Sequence, residues 1–246
     1  MKNVQSNTQS LEEIMRSGRF EIPYNQRPYT WTKTNWELLW DSFFSDTEKA
    51  TFLGSVIFLS PEKIGGAKQV FDGQQRLTTL TIMCKSLVDI LVENNNMQRA
   101  NDILRGYITD HNNTPKLLVS KTIRDYFELN IQNGDLNHKI ENAVEKTQRE
   151  IYKAYFFFKK QFQEFLEKND NDTEIIWNNF MERLNSLELI HMEINDVGLG
   201  IEIFESVNQR GEQLNASELV KNRIIRYAKL SDKDLEEMED RWNGIN

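Results

Sequence analysis

The stretch QVFDGQQRLTTL, residues 69–80, decides how this chain is read. KQVFD has the make-up of a short strand, and from Gln74 onward Leu77, Leu80, Cys84, Leu87 and Leu91 recur at helical spacing. Gly73 therefore stands at a strand-to-helix junction, where a missing Cβ lets the backbone turn tightly or approach another group closely. Such a junction aims the first N–H groups of the helix, and the positive end of its dipole, at one spot. Two readings stand side by side. In the first, Asp72-Gly73 is a turn and cap, with Arg76 on a solvated face. In the second it is a phosphate site: Gly73 gives room, Gln74 and Gln75 offer amide donors, and Arg76 is a fixed cation suited to bidentate contact. Asp72 would then hold Mg²⁺ or orient an attacking water. The site is not a Walker A loop, because GxxxxGK[ST] occurs nowhere in the chain.

Upstream, FLGSVIFLS is a short apolar run bounded by Pro61 and Gly65-Gly66, which predicts a hairpin with KQVFD. Ser10 followed by Leu11, Glu12 and Glu13 predicts an N-cap and a short helix to about Arg16, stopping at Gly18. RFEIP reads as a strand broken by Pro23, and YNQRPYTW is too polar and Pro-bound for a regular element. A helix follows, with Thr34 as its cap and Trp36, Leu39, Trp40, Phe43 and Phe44 on one side.

Downstream the pattern is mainly helical and acidic. Ile151, Tyr155, Phe158, Phe162 and Phe165 form an aromatic stripe at helical spacing, and Ile176, Phe180 and Leu184 form another amphipathic helix. Such stripes belong to cores far more often than to cofactor sites. LELIHMEI then reads as a strand, and residues 201–228 as helix, turn at Arg210-Gly211, and a second helix from about Asn215 or Ser217. The expected class is α+β. Residues 1–86 form a small mixed sheet with helices, and residues 87–246 a mainly helical region whose late strand and last motif pack back on that core.

The chain has 246 residues and a formal net charge of −8, which excludes a surface coated in positive charge for indiscriminate nucleic-acid binding. Charge is uneven: residues 1–86 hold 10 Lys and Arg against 9 Asp and Glu, leaving 20 against 29 for the rest. An anion is therefore expected in the first third. The single cysteine, Cys84, cannot form an internal disulfide and falls on an apolar helical face, which reads as a structural thiol in a reducing compartment. His111, His138 and His191 lie far apart with no metal-ligand spacing, and no nucleophilic Ser-His-Asp or Cys-His signature is present. No run of about 18 apolar residues occurs, so a soluble, cytoplasmic protein without membrane contact is expected. The chain stops just after the charged segment SDKDLEEMEDRW, which is expected to continue in something longer.

FDGQQRLTTL closely resembles the signature of the DGQQR family, the amino-terminal domain of GmrSD-type modification-dependent restriction endonucleases, whose core is similar to the ParB nucleotide-binding fold. Two further stretches match in order. IPYNQRPYTW, residues 22–31, resembles the family's first box, although Asn25 stands where an aromatic residue is more usual. IFESVNQRGEQLNASELVKN, residues 203–222, resembles its third.

The resemblance implies binding and Mg²⁺-dependent hydrolysis of a nucleoside triphosphate, GTP or another, coupled to recognition of modified DNA. Asp72, Gln74, Gln75 and Arg76 would be the catalytic set, with Asp72 on the metal. Gly73, Gln26, Arg27, Asn208 and Arg210 would help bind nucleotide, with Lys221 and Asn222 lining the pocket or facing water. It also implies an HNH-type nuclease domain, in cis beyond this chain or on a partner, since no His-Asn-His constellation can be assembled here.

Several alternatives stay open at this level. Tyr24, Tyr29 and Trp31 could stack on DNA bases, or could form a buried aromatic clasp. Arg27 could face nucleotide or DNA. Arg210-Gly211 could simply end a helix. The module could bind nucleotide or DNA without turnover. Direct DNA cleavage ranks lowest, because no carboxylate cluster for two metals is evident.

Overall fold

The computed structural model describes residues 4–23, 26–44, 52–61, 65–196 and 198–200. Ser10 starts α1 (Leu11–Arg16) with a complete capping box, its hydroxyl accepting from the Glu13 amide while the Glu13 carboxylate accepts from the Ser10 amide. Leu11, Ile14 and Met15 are thereby turned into the core. The next helix, α2 (Lys33–Phe44), begins one residue before Thr34, so Thr34 lies in its first turn and is not the cap. Thr32 holds that end instead, its amide donating to Asn35 Oδ1 at 3.0 Å and its carbonyl accepting from the Asn35 amide.

Among the described residues six strands form a mixed sheet. The strands are β1 (Val4–Ser10), β2 (Phe20–Glu21), β3 (Phe52–Leu59), β4 (Lys68–Asp72), β5 (Leu117–Leu118) and β6 (Glu188–Ile194), in the order β1-β6-β3-β4-β2-β5. The expected β3–β4 antiparallel hairpin is present, and the late strand β6 slots between β1 and β3. Sequence pattern does not reveal β5, which is only two residues long and joins the sheet by pairing parallel to β2. β2 in turn pairs parallel to β4. The carboxyl ends of β4, β2 and β5 therefore point the same way, side by side.

Helices α3 (Gln74–Glu93), α4 (Met97–Ile103), α5 (Lys121–Asn130), α6 (Lys146–Lys168) and α7 (Thr173–Ser186) complete the layer, with a π-helical turn, Leu104–Ile108, extending α4. Together with α1 and α2 they share one large core with the helix-facing side of the sheet. The aromatic stripe of α6 lies in that core, where Phe162 meets Trp40 edge-on at 4.9 Å and Phe43 stacks on Phe180 of α7 at 5.1 Å. Ile57, Leu59, Phe71 and Ile194 make a separate small cluster. Alternation along β3 and β6 puts it on the opposite side of the sheet.

The central helix differs from its sequence pattern. α3 was expected to bury one apolar stripe, yet its polar positions Thr78, Thr81, Lys85, Ser86 and Asp89 are buried too, because α6 and α4 pack around it. Its unbroken run also carries it across residue 86. The deepest of these are paired: Lys85 Nζ donates to Asp89 Oδ1 at 2.8 Å, Tyr155 donates to Asp89 Oδ2 at 2.6 Å, and Ser86 donates to the Tyr155 carbonyl at 3.0 Å. Burial pushes the Tyr155 phenol up, reinforced by the Asp89 carboxylate, so it stays a hydrogen-bond donor. Cys84 is buried, and burial likewise pushes its thiol up, as a structural cysteine requires.

Breaking a buried ion pair on one side strands a charge, whereas replacing the whole set by apolar groups does not. Asp89→Ala is expected to cost about 3–5 kcal/mol in urea unfolding, and Lys85→Met/Asp89→Leu/Tyr155→Phe to recover most of that loss. A second expectation concerns the β1–β6 pair, where His191 Nδ1 lies 3.1 Å from Asn7 Oδ1. Burial and Lys68 pull the His191 imidazole below its ordinary 6.5, with Glu193 opposing. The unfolded chain then binds the proton more readily, so stability falls as pH drops from 6.5 through the lowered folded value. His191→Gln should flatten that stretch of the stability–pH curve.

Candidate functional site

The site is built where β4 hands over to α3. Gly73 occupies the N-cap position of α3 with φ 93° and ψ 4°, a left-handed conformation that favours glycine, and supplies no side-chain cap. A Cβ at this position would lie 2.7 Å from Cγ1 of Val56 on β3. Both the dihedral and the space therefore require glycine. The Gly73 carbonyl accepts the first helical bond from the Leu77 amide at 2.9 Å, and the amides of the preceding turn have no acceptor within the helix.

Around this helix end the first two sequence boxes come together. Gln74 is 6% exposed and donates through Nε2 to Gln26 Oε1 at 3.2 Å, while its own Oε1 is buried without a partner. Gln75, also buried, accepts from the Thr30 amide at 2.8 Å and donates to the Pro28 carbonyl at 3.0 Å. Its side-chain amide thus works as a two-pronged clamp on the segment after β2. Tyr29 is 5% exposed, its hydroxyl sharing a hydrogen with Thr79 at 2.9 Å and accepting from Trp36 Nε1 at 2.8 Å. Burial pushes this phenol up, with the bonds to Thr79 and Trp36 opposing. Tyr29 is therefore the buried clasp, its ring inside the core. Trp31 is only partly buried against that core, and Arg27 is half-buried.

Arg76 does not lie on a solvated face. It turns back beneath β3, donating from Nη1 to the Ser55 carbonyl at 2.9 Å. Burial pulls its guanidinium below the ordinary arginine value, and the neighbouring Asp72 carboxylate opposes that shift. Asp72 ends β4 and accepts from Ser55 Oγ at 3.3 Å, so one residue of β3 steadies both charged members of the motif. Gly54 makes the space, since a Cβ there would lie 2.9 Å from Arg76 Nη2. Sequence reasoning passes over Gly54 and Ser55. The available signal is a glycine inside an otherwise good strand, which marks close approach by another group.

Asp72, Gly73, Gln74, Gln75, Arg76 and Gln26 are thus gathered at the carboxyl end of β4, with Pro28, Tyr29 and Thr30 locked beside them. Tyr24, Asn208, Arg210, Lys221 and Asn222 lie outside the described residues, as does the helix–turn–helix expected over residues 201–228. No group of three or more His, Cys, Asp or Glu that could hold a metal occurs among the described residues. Among them, no helix is long and apolar enough to cross a membrane.

Among the described residues a mixed sheet covered by helices defines an α+β protein, with the glycine-opened amino end of α3 beside the carboxyl ends of β4 and β2. The family model for the N-terminal domain of the GmrSD restriction endonuclease matches residues 10–225, and the chain belongs to that family. No curated protein matches the chain.

The Gly73 geometry yields a direct expectation. Gly73→Ala should destabilise the protein by about 1–3 kcal/mol in urea unfolding, the usual cost of a non-glycine left-handed residue. Added Val56→Ala should recover only the part due to the steric clash.

Proposed function

We propose that the chain is a nucleoside-triphosphate-binding module of a restriction system, holding the phosphates at the amino end of α3. The observation that carries this reading is Gly73. Most helices satisfy their first amides with a Ser, Thr, Asp or Asn cap, whereas this 20-residue helix begins at a left-handed glycine with no side-chain cap. Those amides and the helix dipole suit an anion. Gln74 adds a buried amide beside them, and Arg27 and Gln26 come from the adjacent loop. Asn208 and Arg210 of the third box would close over the phosphates.

The donor set also suits Mg²⁺. Mg²⁺ in phosphate sites is held by one or two carboxylates, with phosphate oxygens and water completing the shell, and Asp72 is one carboxylate at the edge of the cradle. When bound, the ion would neutralise phosphate charge during transfer. Asp72 would also orient the attacking water, while Arg76, braced on Ser55, keeps the β3–β4–α3 corner rigid and positive. Phosphate turnover would then be coupled to recognition of modified DNA, and cleavage would fall to a nuclease domain beyond this chain or on a partner.

A second reading is binding without turnover. It is favoured by a specific observation: Gln75 and Arg76 already spend hydrogen bonds on Pro28, Thr30 and Ser55, which suits a fixed switch better than a set of mobile catalytic groups.

Thermal unfolding with Mg²⁺ and each nucleoside triphosphate tests the site. A ligand at about 100 times its Kd should add roughly 2.7 kcal/mol of stability. The shift should shrink in Arg76→Ala, checked for folding by its urea transition. Phosphate release lost in Asp72→Asn would support hydrolysis, a shift without release would support the switch, and no shift with any triphosphate would contradict the phosphate site.

A further inference from the structure

Among the described residues the sheet ends in two edges, and the chain treats them differently. β5 forms one edge and is only two residues long, an ordinary way of blunting an edge against unwanted pairing. β1 forms the other and is seven residues long. Its register with β6 runs without a shift from Val4 opposite Ile194 to Ser10 opposite Glu188, whereas the β3–β4 and β3–β6 registers both break. β1 therefore carries no bulge, and its sequence, VQSNTQS, holds no charge and no proline. Ser6, Asn7 and Thr8, at its middle, are exposed. The usual guards of a long edge are missing here.

In an antiparallel ladder alternate residues turn both N–H and C=O away from the partner strand. Along β1 those outward groups make a row about 23 Å long, whose complement is another extended backbone. Six of the seven residues are polar, so side-chain burial contributes little to the strand and backbone pairing contributes most. The sequence also says which backbone fits. It is nearly palindromic about Asn7, with Ser6 and Thr8 on either side and Gln5 and Gln9 beyond them. A two-fold antiparallel pair centred on Asn7 sets Ser6 of one copy opposite Thr8 of the other, and Gln5 opposite Gln9, as an isologous interface demands. Hydroxyl pairs of this kind are favourable across strands, and no like charges meet.

We propose that β1 is a self-association edge, which pairs antiparallel with β1 of a second copy so that one sheet runs through both. The contact is small, which places the pair among weak, concentration-dependent associations. β1 lies three strands from β4 in the sheet order, so the interface is separate from the proposed phosphate cradle and does not rest on it.

Sedimentation equilibrium of the whole chain over a concentration series tests this. A reversible monomer–dimer equilibrium is expected, and hydrogen exchange of the β1 backbone amides should slow as concentration rises. Thr8→Lys, at an exposed position, should weaken association about fivefold or more with an unchanged urea midpoint, because two lysines then lie diagonally across the two-fold axis. Ser6→Glu/Thr8→Lys should restore association, since the register centred on Asn7 brings opposite charges face to face. A chain that stays monomeric at every concentration, leaving the edge to a strand of another protein, would overturn the inference. Association that Thr8→Lys leaves intact, or that the double variant fails to restore, would overturn it equally.

Discussion

Everything at the candidate site depends on the left-handed turn at Gly73. A side chain there would meet both an unfavourable backbone angle and Val56, so the chain can pass from β4 to α3 in this way only with glycine. That single constraint starts α3 at the carboxyl end of β4 and sends it through the middle of the helical layer. It also determines which side chains of the DGQQR motif face inward: Gln74 and Gln75 towards the loop after β2, Arg76 back towards β3. The motif is thus a structural joint first. The anion site proposed for it would use what the joint leaves open, the first-turn amides that no side chain caps.

The joint is tied to the rest of the molecule by polar contacts in low-dielectric surroundings. Gln75 imitates a strand partner for Pro28 and Thr30, and the Trp36–Tyr29–Thr79 chain fastens α2 to α3 through the same segment. Ser55 holds Asp72 and Arg76 from the other side. Further along α3, Lys85, Asp89 and Tyr155 perform the same service against α6. Buried polar groups with specific partners disfavour alternative packings, because a shifted register would leave them unpaired. α3 is accordingly held in one rotation and one register, which fixes the direction of its amino end.

Much of this was legible from the residues. The Ser10 N-cap, the β3–β4 hairpin, the α6 aromatic stripe and the late strand β6 all follow from local patterns in their own segments. Other features did not, the polar strand β1 (VQSNTQS) and the start of α2 before Thr34 among them. β5 is a two-residue strand whose pairing depends on β2, a long-range contact with no local signature. The buried polar positions of α3 look like a solvated face until α6 covers them. The direction of Arg76 depends on the space left by Gly54 across the hairpin, and a side chain's choice between solvent and a neighbouring backbone is not written in its own segment. For the first box the sequence left two roles open for the aromatic residues, and Tyr29, buried among Thr79 and Trp36, takes the clasp.

The most direct measurement is the perturbation of backbone amide resonances on titration of the isotopically labelled chain with a Mg²⁺-bound nucleoside triphosphate. The account predicts that the amides of Gly73, Gln74, Gln75 and Arg76 shift first and furthest, since they face the phosphates. Saturable binding that leaves those four amides unmoved would contradict it, and would make the DGQQR corner a structural joint alone.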